Sequence, residues 1–210
     1  LDYGREHSLE RFLYVSSGEV YGNGDVDNWK ESDSGYVDCM TLRSCYPTSK
    51  RAAETLCVAY SHQFHIEAVV ARPCHTYGPH FTDNDTRAYA QFVRNARNHE
   101  DIVLKSRGEQ YRSWLYVKDC ASAILTILLK GQNGEAYNVA DGKSCVTIRE
   151  LAETIAHIGG GKVVFDLPSD VERQGFSVIR KAVFDTSKLE ALEWIPQYKL
   201  QEALVETIKG

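Results

Sequence analysis

Apolar residues occur along this chain in two patterns: short unbroken strips, and stretches spaced by three and four positions. The first strip, Phe12-Leu13-Tyr14-Val15, is aromatic and branched and predicts a buried strand. A loop of about 25 residues follows, carrying Gly22, Gly24, Gly35 and the acids Asp25, Asp27, Glu31, Asp33 and Asp38. Loops this long inside a compact domain are usually functional, and this one is expected to act as a lid over a ligand. Ala52, Ala53, Leu56, Ala59, Tyr60 and Phe64 then predict a helix from near Tyr46, with Pro47 suited to its first turn. Ile66 to Arg72 forms a second strip, closed by Pro73.

A strand, a helix and a strand without polar alternation predict a βαβ crossover in a parallel sheet. From about Thr86 the pattern changes. Helical segments at 86–98, 118–130, 147–158 and 200–209 alternate with short strands near 101–105, 137–140 and 162–166. Gly131 and the run Gly159-Gly160-Gly161 stand where helix C-terminal caps are expected. The order of elements predicts an α/β fold: part of a doubly wound, Rossmann-like parallel sheet, with a small C-terminal α/β lobe stacked on its end.

Hydrophobic residues at 43% and charged residues at 25% exclude disorder and low complexity for the 210-residue chain. The net charge of −5, with both signs interspersed, argues against nucleic acid or an anionic membrane as a partner held by bulk charge. No apolar run reaches the length of a membrane span, and no secretory signal is visible. Cys39, Cys45, Cys57, Cys74, Cys120 and Cys145 have no metal-site spacing, and they read as reduced thiols of a cytoplasmic protein. The chain opens at Leu1 and its one methionine is Met40, so it is expected to be a piece of something longer.

Tyr46 and Lys50 stand one helical turn apart, which puts both side chains on one face. An ammonium close to a phenol stabilises the phenolate, so such a tyrosine can act as a general base near neutral pH. The pair alone is weak evidence, but its neighbours strengthen it. Ser16-Ser17-Gly18-Glu19-Val20-Tyr21-Gly22 ends the first strand. Arg72-Pro73-Cys74-His75-Thr76-Tyr77-Gly78-Pro79 ends the second. Strand ends on one edge of an open α/β sheet are where ligands bind, so three motifs are expected to converge on one crevice.

With these motifs the sequence resembles the extended short-chain dehydrogenase/reductases that modify nucleotide-activated sugars: NAD-dependent epimerases, 4,6-dehydratases and glucuronate decarboxylases. Arg112-Ser113-Trp114-Leu115-Tyr116-Val117-Lys118-Asp119, Tyr137-Asn138-Val139 and Asp185-Thr186-Ser187-Lys188-Leu189 extend the resemblance over nearly the whole chain. The family holds NAD on an N-terminal strand, a G-x-x-G-x-x-G turn and a helix, and no such glycine triplet occurs in this sequence. The resemblance therefore implies the C-terminal two-thirds of such an enzyme, with the N-terminal strands missing. Residues 1–80 would be the catalytic remainder of the Rossmann domain, and residues 81–210 mostly the nucleotide-sugar lobe. The intact protein is expected to bind NAD, and the fragment alone to be inactive.

Residue roles follow from the same resemblance. Tyr46 would take the proton of the sugar C4 hydroxyl, Lys50 would hold the phenolate and the cofactor ribose, and Ser17 would align that hydroxyl. Ser16, Pro73 and Cys74 would line the nicotinamide pocket. Glu19 matches the glutamate of dehydratases and decarboxylases, whereas 4-epimerases carry a small or neutral residue there. Dehydratases also place an aspartate just before it, where this chain has Gly18. Arg112 would contact the nucleotide diphosphate, with Arg180, Lys181 and Arg173 as further phosphate candidates. His75 replaces an asparagine that touches substrate, and Asp119 is expected to cap the helix that follows it. A homodimer through the tyrosine-bearing helix is possible. The alternative reading is a non-catalytic module for nucleotide-sugar binding or dimerisation.

Overall fold

The computed structural model describes residues 1–167 and 181–210. A short helix α1 (Asp2–Glu6) leads into strand β1 (Arg11–Val15), and a long helix α2 (Cys45–Phe64) connects it to β2 (Glu67–Pro73). After β3 (His75–Tyr77) come α3 (Ala88–Arg97), β4 (Ile102–Leu104), β5 (Tyr111–Tyr116) and α4 (Val117–Lys130). The chain continues through β6 (Ala136–Val139), β7 (Cys145–Thr147), α5 (Ile148–Gly159) and β8 (Val163–Phe165). Strand β9 (Lys181–Ala182) and helices α6 (Ser187–Glu190) and α7 (Leu200–Lys209) complete the described residues. The helices and strands predicted from Thr86 onward all form, with ends displaced by two residues at most.

β1, β2 and β6 make a parallel sheet in that order, with Leu13 opposite Val69 and Ala71 opposite Tyr137. β2 explains why its sequence shows no polar alternation. Val69 and Ala71 pack with Ala123 and Ile127 of α4 on one face, while Ala68 and Val70 pack with Cys57 of α2 on the other. Both faces are dry, so both sets of side chains must be apolar. Residues 117–139, late in the chain, therefore belong to the first sheet.

A second core gathers Tyr89, Phe92 and Val93 of α3, Leu151 and Ile155 of α5, and Leu204 of α7. Helix α5 is well set by its sequence. The Thr147 hydroxyl accepts from the Glu150 N–H, and the Glu150 carboxylate accepts from the Thr147 N–H. Between the two cores β5 pairs with β3, β7 and β9.

Both glycine caps form: Gly160 closes α5 in the left-handed conformation at φ 78°, and Gly131 closes α4 in an extended one at φ −60°. Two local expectations are corrected. Asp119 does not cap α4: it is buried, and its carboxylate accepts the backbone N–H groups of Gln197 and Tyr198. The acidic loop is not a free lid. Asn23 pairs with Tyr36, and the Trp29 backbone donates to Val183 and accepts from Asp185, both at 2.8 Å. With the Trp29 ring buried, the loop is an anchored wall.

Candidate active site

The C-terminal ends of β1 and β2, the start of α2 and strand β5 surround one cleft of about 380 Å³. From β1 the chain turns at Ser16, whose N–H donates to the Ala71 carbonyl at 2.7 Å. Ser17 then caps a single tight turn over Gly18–Tyr21: its hydroxyl accepts from the Glu19 N–H at 3.2 Å. That turn sets Glu19 on the cleft and buries Tyr21 beneath it. Gly18 has a steric reason. A Cβ there would stand 2.4 Å from the ring of Phe184, which itself lines the cleft.

Tyr46 opens α2, is half exposed and faces the cleft. The Lys50 ammonium donates to the Val15 carbonyl at 2.9 Å and lies 5.7 Å from the centre of the Tyr46 ring. The helical turn thus brings cation and phenol together, and the strand end fixes the cation. The buried Ser16 hydroxyl has no hydrogen-bond partner among the described residues. Pro73, Cys74 and His75 continue the lining from the end of β2.

Three guanidinium groups, those of Arg43, Arg87 and Arg112, give the cleft its positive character. Burial, with the neighbouring Arg43, pulls the Arg112 proton affinity down to about 10, against the opposing pull of Glu19. Arg112 also donates to the Tyr111 carbonyl at 3.1 Å. His75 opens onto the cleft, with its ring 5.3 Å from that of Trp114. Loss of water, then the nearby Arg112, Arg87 and Arg43, hold its imidazole down at about 4. It is a neutral ring at physiological pH. Arg87 is held by Asp85 through Nε and Nη2, and that contact first of all holds the Asp85 carboxyl down at about 2. Arg43 pairs with Glu19 at 3.7 Å.

Behind the cleft lies a denser polar network. Arg72 forks onto Glu54 of α2 at 3.0 and 2.6 Å and also donates to the Tyr21 hydroxyl and the Glu31 carbonyl. The Tyr21 hydroxyl donates to fully buried Asn138 at 2.6 Å. Asn138 in turn donates to the carbonyls of Trp29 and Asp185. Burial raises the Tyr21 phenol to about 12, so it serves as a strut and not as an acid or base.

The structure thus brings Ser16, Ser17, Glu19, Tyr46, Pro73, Cys74, His75 and Arg112 to one cleft, with Lys50 beside it. Lys181 is not on the lining. It is paired with Asp27, and its neighbour Ala182 faces the cleft instead. Arg173 and Arg180 lie outside the described residues. Sequence reasoning passed over Arg43, Arg87 and Phe184. Arg43 stands three residues before Tyr46 and Arg87 eight beyond Pro79, so proximity to the motifs was the available signal. Phe184 directly precedes the Asp185–Leu189 segment, and that adjacency was its only signal.

Residues 1–140 match the model of the NAD dependent epimerase/dehydratase family. The chain belongs to that family. It is 35% identical over 198 residues to UDP-glucuronic acid decarboxylase 5 of Arabidopsis thaliana, covering 92% of this chain and 55% of that protein. Among solved structures, a dTDP-glucose 4,6-dehydratase from Bacillus anthracis in complex with NAD aligns with a TM-score of 0.81 at 25% identity. That match covers 99% of this chain and 63% of the dehydratase. A UDP-glucose 4-epimerase from Thermotoga maritima has the same fold, with a TM-score of 0.85 at 23% identity, over 99% of this chain and 65% of its own. The chain thus spans roughly half to two-thirds of the proteins it matches. Among the described residues no helix is long and apolar enough to cross a membrane, and no cluster of three or more His, Cys, Asp or Glu side chains could hold a metal.

Proposed function

We propose that the protein containing this chain oxidises a nucleotide-activated sugar at C4 with NAD and removes a carboxylate from C5 of the resulting ketone. The observation that carries this reading is the company Tyr46 keeps: Ser17 and Glu19 line the same cleft and Lys50 lies 5.7 Å from its ring centre, while the position before Glu19 is Gly18, filled in space by Phe184. A dehydratase needs a proton donor there for its leaving hydroxyl, and Gly18 has no side chain to supply one. The likeness to a UDP-glucuronic acid decarboxylase supports the same choice.

The residues fit the nicotinamide end of the cofactor. Ser16 offers an unfilled buried hydroxyl, Pro73 and Cys74 an apolar wall, and Lys50 with Tyr46 the groups for a ribose. NAD bound there would supply the hydride chemistry. Tyr46 removes the C4 hydroxyl proton, and Ser17 orients that hydroxyl. As the C5–carboxylate bond breaks, its electron pair moves into the ring ketone and Tyr46 gives its proton back to the C4 oxygen. Glu19 relays a proton from solvent to C5. Arg112 and Arg87 hold the diphosphate.

On this reading residues 1–80 carry the chemistry and residues 81–210 most of the nucleotide-sugar contacts. Six free thiols support a cytoplasmic protein, and the exposed Leu56 and Val58 of α2 offer a face on which two copies would pair. The test is to express the complete gene product and offer it NAD with UDP-, dTDP-, GDP- and CDP-sugars, acidic and neutral, with products followed by mass spectrometry. Loss of carbon dioxide from a nucleotide uronic acid is expected. Loss of water, or an isomer of unchanged mass, would overturn the assignment.

A further inference from the structure

Three guanidinium groups line the cleft, and they are held differently. Arg87 is locked by three hydrogen bonds to Asp85 and one to the Tyr89 hydroxyl at 3.0 Å. Arg112 is buried in the wall. Arg43 is 64% exposed, and among the described residues its one ion pair is to Glu19, at 3.7 Å and beyond hydrogen-bond reach. Glu19 is itself 40% exposed. The pair is loose, wet and weak in energy.

The backbone under Arg43 is not loose. It sits in the turn Leu42–Ser44, where Ser44 is buried and its hydroxyl bonds the Asp38 carbonyl and the Thr41 hydroxyl. That turn runs straight into α2 and Tyr46, three residues on. An exposed, loosely paired guanidinium therefore stands on a fixed base three residues before the reacting tyrosine, already facing a carboxylate.

We propose that Arg43 selects the substrate by exchanging partners: it leaves Glu19 for the carboxylate on the sugar of an incoming nucleotide uronic acid. The inference rests on the reaction assigned above and adds the residue that recognises its acid group. A guanidinium fork on that carboxylate fixes the plane of the group relative to the ring, and the same movement frees Glu19 to pass a proton to C5. Once the carboxylate has left as neutral carbon dioxide, Arg43 has no anion on the substrate and returns to Glu19. A neutral sugar offers nothing to exchange, so the resting pair persists and discriminates against it.

The test measures binding, so that it can be separated from turnover. Calorimetry on the complete gene product, with NAD present and in a Tyr46→Phe background that stops the reaction, would compare UDP-glucuronic acid, UDP-glucose and UDP. Arg43→Gln is expected to weaken the acid about tenfold or more, equivalent to about 1.4 kcal/mol, and to leave UDP-glucose and UDP within about twofold. Arg43→Lys is expected to restore part of the preference. Equal weakening of all three ligands would make Arg43 a diphosphate or structural contact and overturn the proposal, as would an unchanged affinity for the acid. The product panel on the unmutated protein reports separately on the reaction. A different product there overturns the reaction, while the ratio of affinities still decides the role of Arg43.

Discussion

The front and the back of the cleft are made from the same three segments, yet they are built to opposite standards. The turn after β1 sends Ser17 and Glu19 forward and Tyr21 back. The end of β2 sends Cys74 and His75 forward and Arg72 back. Helix α2 presents Tyr46 and Lys50 on one side, and Arg51 and Glu54 on the other. Behind, every group is bonded: Arg51 alone donates to the carbonyls of Val20, Tyr21 and Gly35. In front, Tyr46 is half exposed, Glu19 is loosely paired and the Ser16 hydroxyl waits for a partner. A motif of this kind is therefore two motifs interleaved, one that does chemistry and one that keeps the first in place. Low satisfaction at the front is tolerable because the rear is saturated.

Mutations should separate the two. Tyr46→Phe removes only a front-side hydroxyl, so turnover by the complete gene product should fall roughly 10²–10⁴-fold with no change in melting temperature. Asn138→Ala should act the other way. It strands the Tyr21 hydroxyl and two carbonyls, and urea unfolding should show a loss of about 2–4 kcal/mol with normal activity per folded molecule. Should Tyr46→Phe prove the less stable of the two, the division would collapse.

Gly18→Asp lies on the seam. A side chain there must displace the Phe184 ring, and a cost of about 1–3 kcal/mol in denaturant melts is expected, without any gain of dehydratase product. His75→Asn should have the smallest effect, visible only in acid. The folded protein holds His75 at about 4, against an ordinary value of 6.5, so between those limits the unfolded chain binds more protons and stability rises with pH. Replacing the imidazole should flatten that rise in melting temperature between about pH 4 and 6.5. An unchanged slope would place the acid sensitivity elsewhere.

What could be seen in the sequence followed the range of the interactions. The helices α3, α4, α5 and α7 were legible because each has a single apolar face and local end signals. β5 was not read as a strand, because Arg112 and Ser113 interrupt its apolar letters although both are buried. Among the catalytic candidates, Tyr46 and Lys50 were found through local spacing, and Ser17 and Glu19 through the resemblance that their segment carries. Phe184, which explains Gly18, and Trp29, which anchors the acidic loop, were passed over because their partners lie far along the chain. Lys181 was given to the ligand for the same reason: its distant partner Asp27 could not be foreseen.

The anchored wall also has a history in time. Asp27 and Lys181 are 154 positions apart, and Trp29 meets the backbone on either side of Phe184. On the ribosome, the strand leading to Ser17 and the helix carrying Tyr46 can assemble long before that last wall arrives. The nascent chain should therefore pass through a stage in which the catalytic groups are already arranged but the pocket around them stands open on one side.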